Sequence, residues 1–344
     1  MRPLSHLYRG FIFLRNQGYE RHILRIEKLP APVISVGNIT VGGSGKTPLV
    51  RFLCEEFQKK NLKPAVLTRG YKRKWKESIF FEAPPAKHIT ADEIGDEPLM
   101  LARLLPGVVF GIAADRHLMG EKIFRAYKPD VFILDDGFQH RRLRRNLDIV
   151  VLNAANPFDN GQCLPAGMLR EPPSSLGRAE VIVINKQPGS AIQSDLREQI
   201  KKYALGAEII EARIVPRELI SISDSDVKPL GFLQGRKVFG FCGIGNPGNF
   251  RTMLTDLGAE VMGFRAFRDH HRYTSTDIRD LNRRFFACGA EIAVTTLKDK
   301  VRLERTKPDF PLSGLDIRYE FDCDARERAV SLVLRHVKEL ASMR

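Results

Sequence analysis

The stretch that most constrains the fold is residues 33–50, which read VISVGNITVGGSGKTPLV. A short apolar run precedes a glycine-rich loop that ends in Gly45-Lys46-Thr47, and a helical pattern follows. This order is typical of a phosphate-binding P-loop, in which backbone N–H groups and the positive end of a helix cradle the phosphates of a nucleotide. A glycine-rich turn that merely precedes a helix is the simpler interpretation, but it does not account for this order.

Each part of the loop has an expected task. We expect Lys46 to reach the β- and γ-phosphates and the Thr47 hydroxyl to bind Mg²⁺. The residues expected to wrap the phosphates are Gly42, Gly43, Ser44 and Gly45. Because Thr40 stands where the motif usually has its first glycine, we expect Gly42 and Gly43 to supply the unusual backbone angles.

The composition indicates a folded protein with an anionic partner. A chain of 344 residues is long enough for about two domains. Its formal charge of +14 favours nucleic acid, an acidic membrane surface or a phosphorylated substrate, without choosing among them. The five cysteines are scattered and form no CxxC pair. That pattern argues against a disulfide framework or a zinc site and for a reducing cytosol.

Strand-like runs alternate with helical segments along much of the chain. The strand-like runs are 33–36, 64–68, 108–113, 131–134, 148–152 and 181–185. The helical segments between them are 46–60, 92–105, 115–127 and 191–204. This alternation predicts an α/β fold with a P-loop NTPase-like, mostly parallel sheet flanked by helices. Ligands of such folds bind beyond the carboxyl ends of the strands.

A second, smaller α/β domain is predicted to begin near Lys237. The alternating runs 206–216 and 315–322 are predicted to pair as a two-stranded hinge between the domains. The predicted parts are an amphipathic N-terminal helix (1–30), a P-loop domain (31–212), the smaller domain with its hinge strands (213–322) and a C-terminal helix (323–344).

The N-terminal segment has helical periodicity. Leu4, Leu7, Tyr8, Phe11 and Leu14 fall on one stripe, which is flanked by Arg2, Arg9 and Arg15. Two interpretations stay open at this point: a helix that packs on the core, or one that lies in a membrane interface. No run of 18 or more apolar residues occurs, so we expect no membrane-spanning helix.

Two pairs of carboxylates are candidates for chemistry. Asp135 and Asp136 follow an apolar strand, where a carboxylate can hold Mg²⁺ beside the P-loop threonine. Such pairs also cap helices, and we favour the metal role because the P-loop is present. Asp96 and Glu97 belong to an acidic cluster, residues 92–97, at the start of a predicted helix. Either such acids suit the helix dipole, or Asp96 or Glu97 takes the proton from an attacking hydroxyl.

Several further residues are weaker candidates. Arg170, in the rigid loop LPAGMLREPP, and Arg116 suit the charge of a transferring phosphoryl group, although most arginines of this chain must be solvated. Gln139 and His140 orient substrate or satisfy a turn. The run Asp269-His270-His271 offers a metal site, a helix cap or a catalytic histidine, and zinc is disfavoured because spaced partners are missing. The basic loop 72–76 contacts nucleic acid, lipid phosphate or only water.

Together these pieces resemble the tetraacyldisaccharide 4'-kinases, the lipid A 4'-kinase family. The blocks that carry the resemblance are VGNITVGGSGKTP, LTRGYKRK, IGDEPLML, ADR, DDGFQHRRL, LPAGMLREP, GIGNPGNF, FRDHHRYT and TTLKDKVRL. They occur in the family's order and cover most of the chain. One departure is Leu297, where the family is expected to have Glu, so the role of that acid is in doubt here.

The resemblance implies phosphorylation of the 4'-hydroxyl of a tetraacylated glucosamine disaccharide 1-phosphate, with ATP and Mg²⁺ as cofactors. It implies a peripheral enzyme on the cytoplasmic face of the bacterial inner membrane. Its partners would be this anionic glycolipid and the membrane surface, with no nucleic acid expected. The resemblance therefore favours the membrane interface for the N-terminal helix.

The resemblance also implies roles for individual residues. Lys46 and Thr47 correspond to the nucleotide-phosphate and Mg²⁺ ligands. Asp96 corresponds to the catalytic base, and His270 of the second domain supports it as a dyad that a closing hinge completes. The implied metal-site carboxylates are Glu97, Asp135 and Asp136. The implied active-site supports are Arg116, Gln139, Arg170 and Glu171.

Two alternatives belong to other classes. A nucleic-acid-dependent P-loop ATPase would also be basic, but this chain lacks clear base-stacking motifs. A membrane-binding P-loop module without catalysis would keep ATP binding and would survive the loss of Asp96 and His270.

Overall fold

The computed structural model describes residues 1–86, 88–186, 194–222, 226–303, 306 and 308–341, without the side chains of 194 and 338–341. The chain forms two compact units. Unit 1 comprises Met1–Lys87, Leu101–Ile214 and Tyr319–Arg344, and unit 2 comprises His88–Met100 and Val215–Arg318. The segment 88–100, which the sequence assigns to the P-loop domain, therefore groups with the second unit.

The regular elements are as follows. The strands are β1 (Val33–Gly37), β2 (Pro64–Thr68), β3 (Ile79–Glu82), β4 (Val109–Ile112), β5 (Val131–Asp135), β6 (Leu147–Asn153), β7 (Val181–Lys186), β8 (Glu208–Ser221), β9 (Val227–Lys228), β10 (Lys237–Cys242), β11 (Glu260–Ala266), β12 (Ile292–Thr296) and β13 (Leu312–Phe321). The helices are α1 (Arg2–Glu20), α2 (Lys46–Lys59), α3 (Ala91–Ile94), α4 (Asp96–Leu104), α5 (Arg116–Tyr127), α6 (Ser194–Tyr203), α7 (Pro247–Asp256), α8 (Ser275–Ala287), α9 (Leu297–Leu303) and α10 (Cys323–Ala341).

The sheet of unit 1 is mostly parallel, as predicted. Its strand order is β8-β7-β6-β1-β5-β2-β4-β3, and β3 alone pairs antiparallel along this path, with β4. Strands β1, β2 and β5 are buried at every residue. Continuous burial is the mark of a parallel strand covered on both faces, which is why these runs read as unbroken apolar sequence. This arrangement brings the carboxyl ends of β1 and β5 side by side, with Val36 opposite Asp135.

Unit 2 is a second α/β unit. Strands β11, β10, β12 and β13 are parallel neighbours in that order, and β9 adds a short antiparallel pair to β8. Helix α8 begins with a capping box at Thr274, which fixes where the chain leaves the loop before it. The long strands β8 and β13, which contain most of the two predicted hinge runs, are neighbours in the sheet, and each contains residues of both units.

One predicted helix is broken in a way that matters for the site. The sequence predicts a continuous helix over 92–105, whereas Gly95 adopts φ 96° and ends α3, so that α4 begins at Asp96. The capping box of Thr90 and Glu93 starts α3 one turn earlier. The predicted helix 191–204 is present as α6, and residues 191–193 lie outside the described part of the chain.

Helix α1 presents two different faces. Leu4, Leu7, Phe11 and Leu14 are between 57% and 71% exposed, whereas Ser5, Ile12 and Asn16 are buried. The predicted apolar stripe is wrong in one member, because the hydroxyl of Tyr8 turns inward and donates to the carbonyl oxygen of residue 170 at 3.0 Å. No helix in the described ranges is long and apolar enough to cross a membrane.

Candidate active site

The loop between β1 and α2 has the open form of a phosphate cradle. Its positive φ angles belong to Gly42 (117°) and Gly45 (100°), so Gly45 takes the part expected of Gly43. A Cβ on Gly45 would lie 2.5 Å from the hydroxyl oxygen of Tyr319, so only glycine fits there. A Cβ on Gly42 or Gly43 would meet no atom of the described residues within 4 Å.

Asp136 pairs with two cations next to the glycine loop. It follows the last residue of β5 in a left-handed conformation (φ 50°), which is uncommon for residues other than glycine but favoured by Asp among them. Its carboxylate lies 3.5 Å from Nζ of Lys46 and accepts two hydrogen bonds from Nη1 of Arg170 at 2.8 and 3.0 Å. Burial alone would raise the pKa of Asp136, but these cations outweigh it and hold the pKa below its usual value.

Of the residues predicted to hold Mg²⁺ in unit 1, Thr47 and Asp135 fit that ion chemically, whereas Asp136 is paired with Lys46 and Arg170. Thr47 is buried at the start of α2, and Asp135 is buried at the adjacent strand end. Both supply oxygen ligands, which Mg²⁺ prefers, and it commonly binds through one or two carboxylates plus substrate phosphates. The described residues contain no cluster of three His, Cys, Asp or Glu side chains able to hold a metal by themselves.

Two polar side chains support the turn that carries Asp136. Arg116 begins α5, is buried, and donates through Nη1 to the backbone oxygen of residue 136 at 3.4 Å. Burial lowers the pKa of its guanidinium, while Asp136 and Asp135 oppose that effect. Gln139 donates to the backbone oxygen of Asn38 at 2.9 Å, which ties the turn after β5 to the loop after β1.

His140 stays neutral in this environment. Burial, together with the nearby cations Arg116 and Arg145, lowers the pKa of its imidazole to about 4. A neutral imidazole does not act as a cationic phosphate ligand, but it can still orient a substrate through a hydrogen bond or satisfy the turn.

Glu171 is held by two arginines and an amide within unit 1. Its side chain is fully buried and its carboxylate pairs with Arg178 at 3.0 Å and with Arg15 at 3.3 Å. Asn16 of α1 donates to the same carboxylate at 3.0 Å. The Arg170 loop is thus fixed to the inner face of α1.

Unit 2 contains both Asp96 and His270, which the sequence assigned to two different domains that a closing hinge would bring together. Nδ1 of His270 lies 2.9 Å from Oδ2 of Asp96, the first residue of α4. His270 has a left-handed backbone (φ 59°), a conformation that costs of order 1 kcal/mol or more and recurs at functional sites. Burial would raise the pKa of Asp96, but His270 and the guanidinium of Arg302 outweigh it, and the pKa falls far below its usual value.

Three residues of α9 were missed as site residues. Lys298 forms an ion pair with Glu97, so the predicted metal ligand Glu97 has a cation partner within unit 2. Arg302 contacts Asp96, and Asp299 contacts Arg302. The only signal for these side chains in the sequence was the block TTLKDKVRL, which resembles the family but gave no role to any of the three residues. Leu297 is buried and packs against Gly314. A Cβ at position 314 would lie 2.7 Å from a methyl carbon of Leu297, so position 314 has no room for a larger residue.

The other histidine of this run contacts the capping box of α8. His271 pairs through Nε2 with Asp277 at 3.1 Å, and Asp277 belongs to the capping box of α8. Of the two histidines, His271 therefore contacts a capping residue, whereas His270 contacts Asp96. In the basic loop 72–76, Trp75 is exposed, and Arg73 donates to backbone oxygens of the same loop region.

These two groups of residues have complementary chemistry. Unit 1 offers a helix N-terminus, a lysine, two arginines and two carboxylates, which suit a nucleotide triphosphate and its cation. Unit 2 offers a buried carboxylate held by a histidine, which suits proton abstraction from a hydroxyl. Both belong to the chemistry of phosphoryl transfer.

Comparison with known proteins points to the same chemistry. A family model described as tetraacyldisaccharide-1-P 4'-kinase matches residues 1–337. The tetraacyldisaccharide 4'-kinase of Syntrophus aciditrophicus is 39% identical over 312 residues, which cover 87% of this chain and 82% of the relative. The enzyme of the same name from Aquifex aeolicus is 35% identical over 335 residues, 97% of each chain. The crystal structure of the "apo" form of LpxK from Aquifex aeolicus in complex with ATP is similar with a TM-score of 0.78 at 33% identity, covering 97% of this chain and 98% of that one.

Proposed function

Because this chain belongs to the tetraacyldisaccharide-1-P 4'-kinase family, we propose that its two units divide the work of the family's reaction. The chain is a kinase that transfers phosphate from ATP to an alcohol, the 4'-hydroxyl of the tetraacyldisaccharide 1-phosphate of lipid A biosynthesis. In our proposal, residues of unit 1 hold the phosphate donor and residues of unit 2 activate the acceptor hydroxyl.

On the donor side, the loop amides and Lys46 bind the phosphates. Lys46 is held by Asp136, which also orients Arg170, so both cations are positioned before the nucleotide arrives. Preorganised cations of this kind stabilise the charge of a transferring phosphoryl group without reorganising during the reaction. Thr47 and Asp135 hold Mg²⁺, which when bound supplies charge neutralisation on the β- and γ-phosphates.

On the acceptor side, Asp96 accepts the proton of the 4'-hydroxyl. The single observation that carries this role is the 2.9 Å contact between its Oδ2 and Nδ1 of His270 within one unit. A carboxylate only accepts hydrogen bonds, so Nδ1 carries the hydrogen and the histidine orients the base. The ion pair of Glu97 with Lys298 weakens the case for Glu97 as a metal ligand, as Lys46 and Arg170 do for Asp136, because each carboxylate has a cation beside it.

A transfer assay tests this function and its dependence on Mg²⁺. We expect labelled γ-phosphate to move from ATP to tetraacyldisaccharide 1-phosphate in detergent micelles, because the site chemistry needs both the anionic phosphates and their cation. Chelation of divalent cations should abolish the transfer and added Mg²⁺ should restore it. The matched control is the 4'-deoxy form of the same lipid, which should accept no label.

Two outcomes of that assay would contradict the proposal. Label transfer that persists in the presence of a chelator would show that the reaction does not need Mg²⁺. ATP hydrolysis that rises with single-stranded DNA or RNA, with no label on the lipid, would favour the nucleic-acid-dependent ATPase instead.

We further propose that α1 places the enzyme on the cytoplasmic surface of the inner membrane as a peripheral protein. Its outer face carries the exposed side chains of Leu4, Leu7, Phe11 and Leu14. Its inner face is fixed to unit 1 by hydrogen bonds such as the one from Ser5 Oγ to the carbonyl oxygen of Cys163, at 2.6 Å. A helix fixed on one side and apolar on the other suits insertion into the headgroup boundary. In this proposal, the excess of basic residues, a formal net charge of +14, favours binding to anionic lipid.

Replacing Leu7 and Phe11 together with Ser should weaken vesicle binding by roughly 100-fold or more. Burying one such side chain contributes roughly 1.5–3 kcal/mol, and both would lose that contribution. The measurement is co-sedimentation with vesicles that contain phosphatidylglycerol, at low and high salt. Wild-type binding should weaken with salt because basic residues contribute to it.

A matched pair of substitutions controls for lost apolar surface in general. Leu205 and Phe286 are also exposed, and replacing both with Ser should leave vesicle binding unchanged. Binding that is unaffected by the Leu7 and Phe11 substitutions would instead assign the membrane contact to another surface, such as the loop 72–76.

A further inference from the structure

Asp299 is a fully satisfied, fully buried carboxylate. Its Oδ1 accepts from the Tyr273 hydroxyl at 3.0 Å and from Nη1 of Arg302 at 2.9 Å. Its Oδ2 accepts from the backbone N–H of Gly243 at 3.0 Å and from the Thr296 hydroxyl at 2.7 Å. An ionised carboxylate has about four lone-pair sites, and the described residues fill all of them. Asp299 is therefore an anchor with no capacity left for a ligand.

Arg302 is held by that anchor and points at the base. Its side chain is only 7% exposed, and Nη1 also donates to the backbone oxygen of Gly243 at 3.0 Å. The other edge of the guanidinium meets Oδ2 of Asp96 through both Nε, at 2.8 Å, and Nη2. A planar guanidinium fixed at Nη1 has little freedom at Nε and Nη2, so the anchor determines where Asp96 is held.

The two oxygens of Asp96 are occupied unequally. Three donors converge on Oδ2: Nε and Nη2 of Arg302 and Nδ1 of His270. An oxygen of a carboxylate has two lone pairs, so Oδ2 has no acceptor capacity left. Nη2 and Nδ1 are 3.3 Å apart, and since both carry hydrogen they converge on Oδ2 rather than bond to each other. Among the described residues, Oδ1 accepts only the backbone N–H of Glu97, at 2.9 Å. One lone pair of Oδ1 therefore remains for a ligand.

We propose that Arg302, anchored by Asp299, is a positioning residue that saturates Oδ2 of Asp96 and leaves Oδ1 as the atom that accepts the substrate proton. The inference rests on the proposed function, in which Asp96 is the base. In the reaction, the 4'-oxygen forms a bond to the γ-phosphorus while its proton passes to Oδ1. The bond between the γ-phosphorus and the bridging oxygen breaks, ADP leaves, and the proton later passes from Oδ1 to water.

The test compares steady-state kinetics of Arg302→Gln, Arg302→Lys and Asp96→Asn. Arg302→Gln should lower kcat roughly 10- to 100-fold, because a base displaced by about 1 Å loses its alignment with the hydroxyl. The KM for ATP should stay within about twofold if the substitution affects only the base. Arg302→Lys should retain part of the rate, because a lysine keeps the charge but donates from one point. In an Asp96→Asn background, Arg302→Gln should cause no further loss of kcat.

The control is Arg284→Gln, which removes an exposed arginine from its pair with Asp280 in the same unit and should leave kcat unchanged. Thermal unfolding of every variant separates lost alignment from lost structure, and Arg302→Lys serves if Arg302→Gln does not fold. Wild-type kcat in Arg302→Gln, with Asp96→Asn inactive, would overturn the inference and leave the base intact. An equal loss of kcat on both backgrounds would also overturn it. Wild-type activity of Asp96→Asn would instead overturn the proposed function itself.

Discussion

Replacing Lys46 with Ala should lower kcat by roughly 100- to 1,000-fold, the usual cost of removing one preorganised charge donor from a transition state. The side chain is mostly buried and lies 3.5 Å from Asp136, so its ammonium is already placed at the loop before nucleotide binds. The measurement is the rate of label transfer at saturating ATP and lipid, with the fold checked by circular dichroism.

The matched control for this substitution lies on the same helix. Lys59, at the other end of α2, pairs with Glu56 and is more than half exposed, so Lys59→Ala should keep wild-type kcat. A Lys46→Ala enzyme that turns over at the wild-type rate would show that the loop does not bind the transferring phosphates.

A companion substitution separates the nucleotide from the metal. Thr47→Val keeps the shape of the side chain but removes its hydroxyl, whereas Thr47→Ser keeps the hydroxyl. If that oxygen is a ligand, Thr47→Val should need more Mg²⁺ for half-maximal rate and Thr47→Ser should not. Equal Mg²⁺ requirements in the two variants would exclude the ligand role of Thr47.

The sequence predicted those parts of the molecule whose signals are local. The order of β1, the glycine loop and α2 was readable because each piece has its own pattern. The mostly parallel sheet followed from the alternation of strand-like runs with helical segments. Asp135 and Asp136 were found for the same reason, since carboxylates that directly follow a buried strand stand out. The dyad partners Asp96 and His270 came from the resemblance, and their 174-residue separation explains why spacing alone could not pair them.

The rest depended on tertiary contacts. Tyr8 fits the outer stripe of α1 by periodicity, yet its hydroxyl finds a backbone acceptor on the inner side, and such a partner leaves no trace in the helical pattern. The break at Gly95 was hidden because a single glycine is tolerated inside many helices. Arg302 lies 206 residues from Asp96 in the chain, and a chain with so many arginines offers no local reason to single it out.

Asp96 and His270 should behave as one unit in kinetics. Asp96→Ala should lower kcat by roughly 100- to 10,000-fold, the range that a general base contributes. His270→Ala should cost less, because the base remains but loses a hydrogen bond that orients it. The double variant should be about as slow as Asp96→Ala, since members of a catalytic unit are not additive. Barrier increases that sum strictly would show that the two side chains act independently.

The pH dependence of the rate gives a second view of the same pair. Burial raises the pKa of Asp96, but the His270 hydrogen bond and the Arg302 charge lower that pKa by more than burial raises it. The acid limb of the wild-type pH–rate profile should therefore lie below the ordinary range of an aspartate. Removing His270 takes away a contribution that lowers the pKa, so the acid limb of His270→Ala should move to higher pH. That limb should be absent in Asp96→Ala, because the titrating group is gone.

His271 provides the matched histidine control for these profiles. It lies next to His270 in the chain but pairs with Asp277 at the start of α8, so His271→Ala should keep the wild-type acid limb. A limb that stays in place in His270→Ala would mean that the histidine does not tune the base. In the described contacts, His270 touches the Asp96 carboxylate and His271 does not. An acid limb that moves equally in both variants would therefore be an effect of the loop that carries the two histidines.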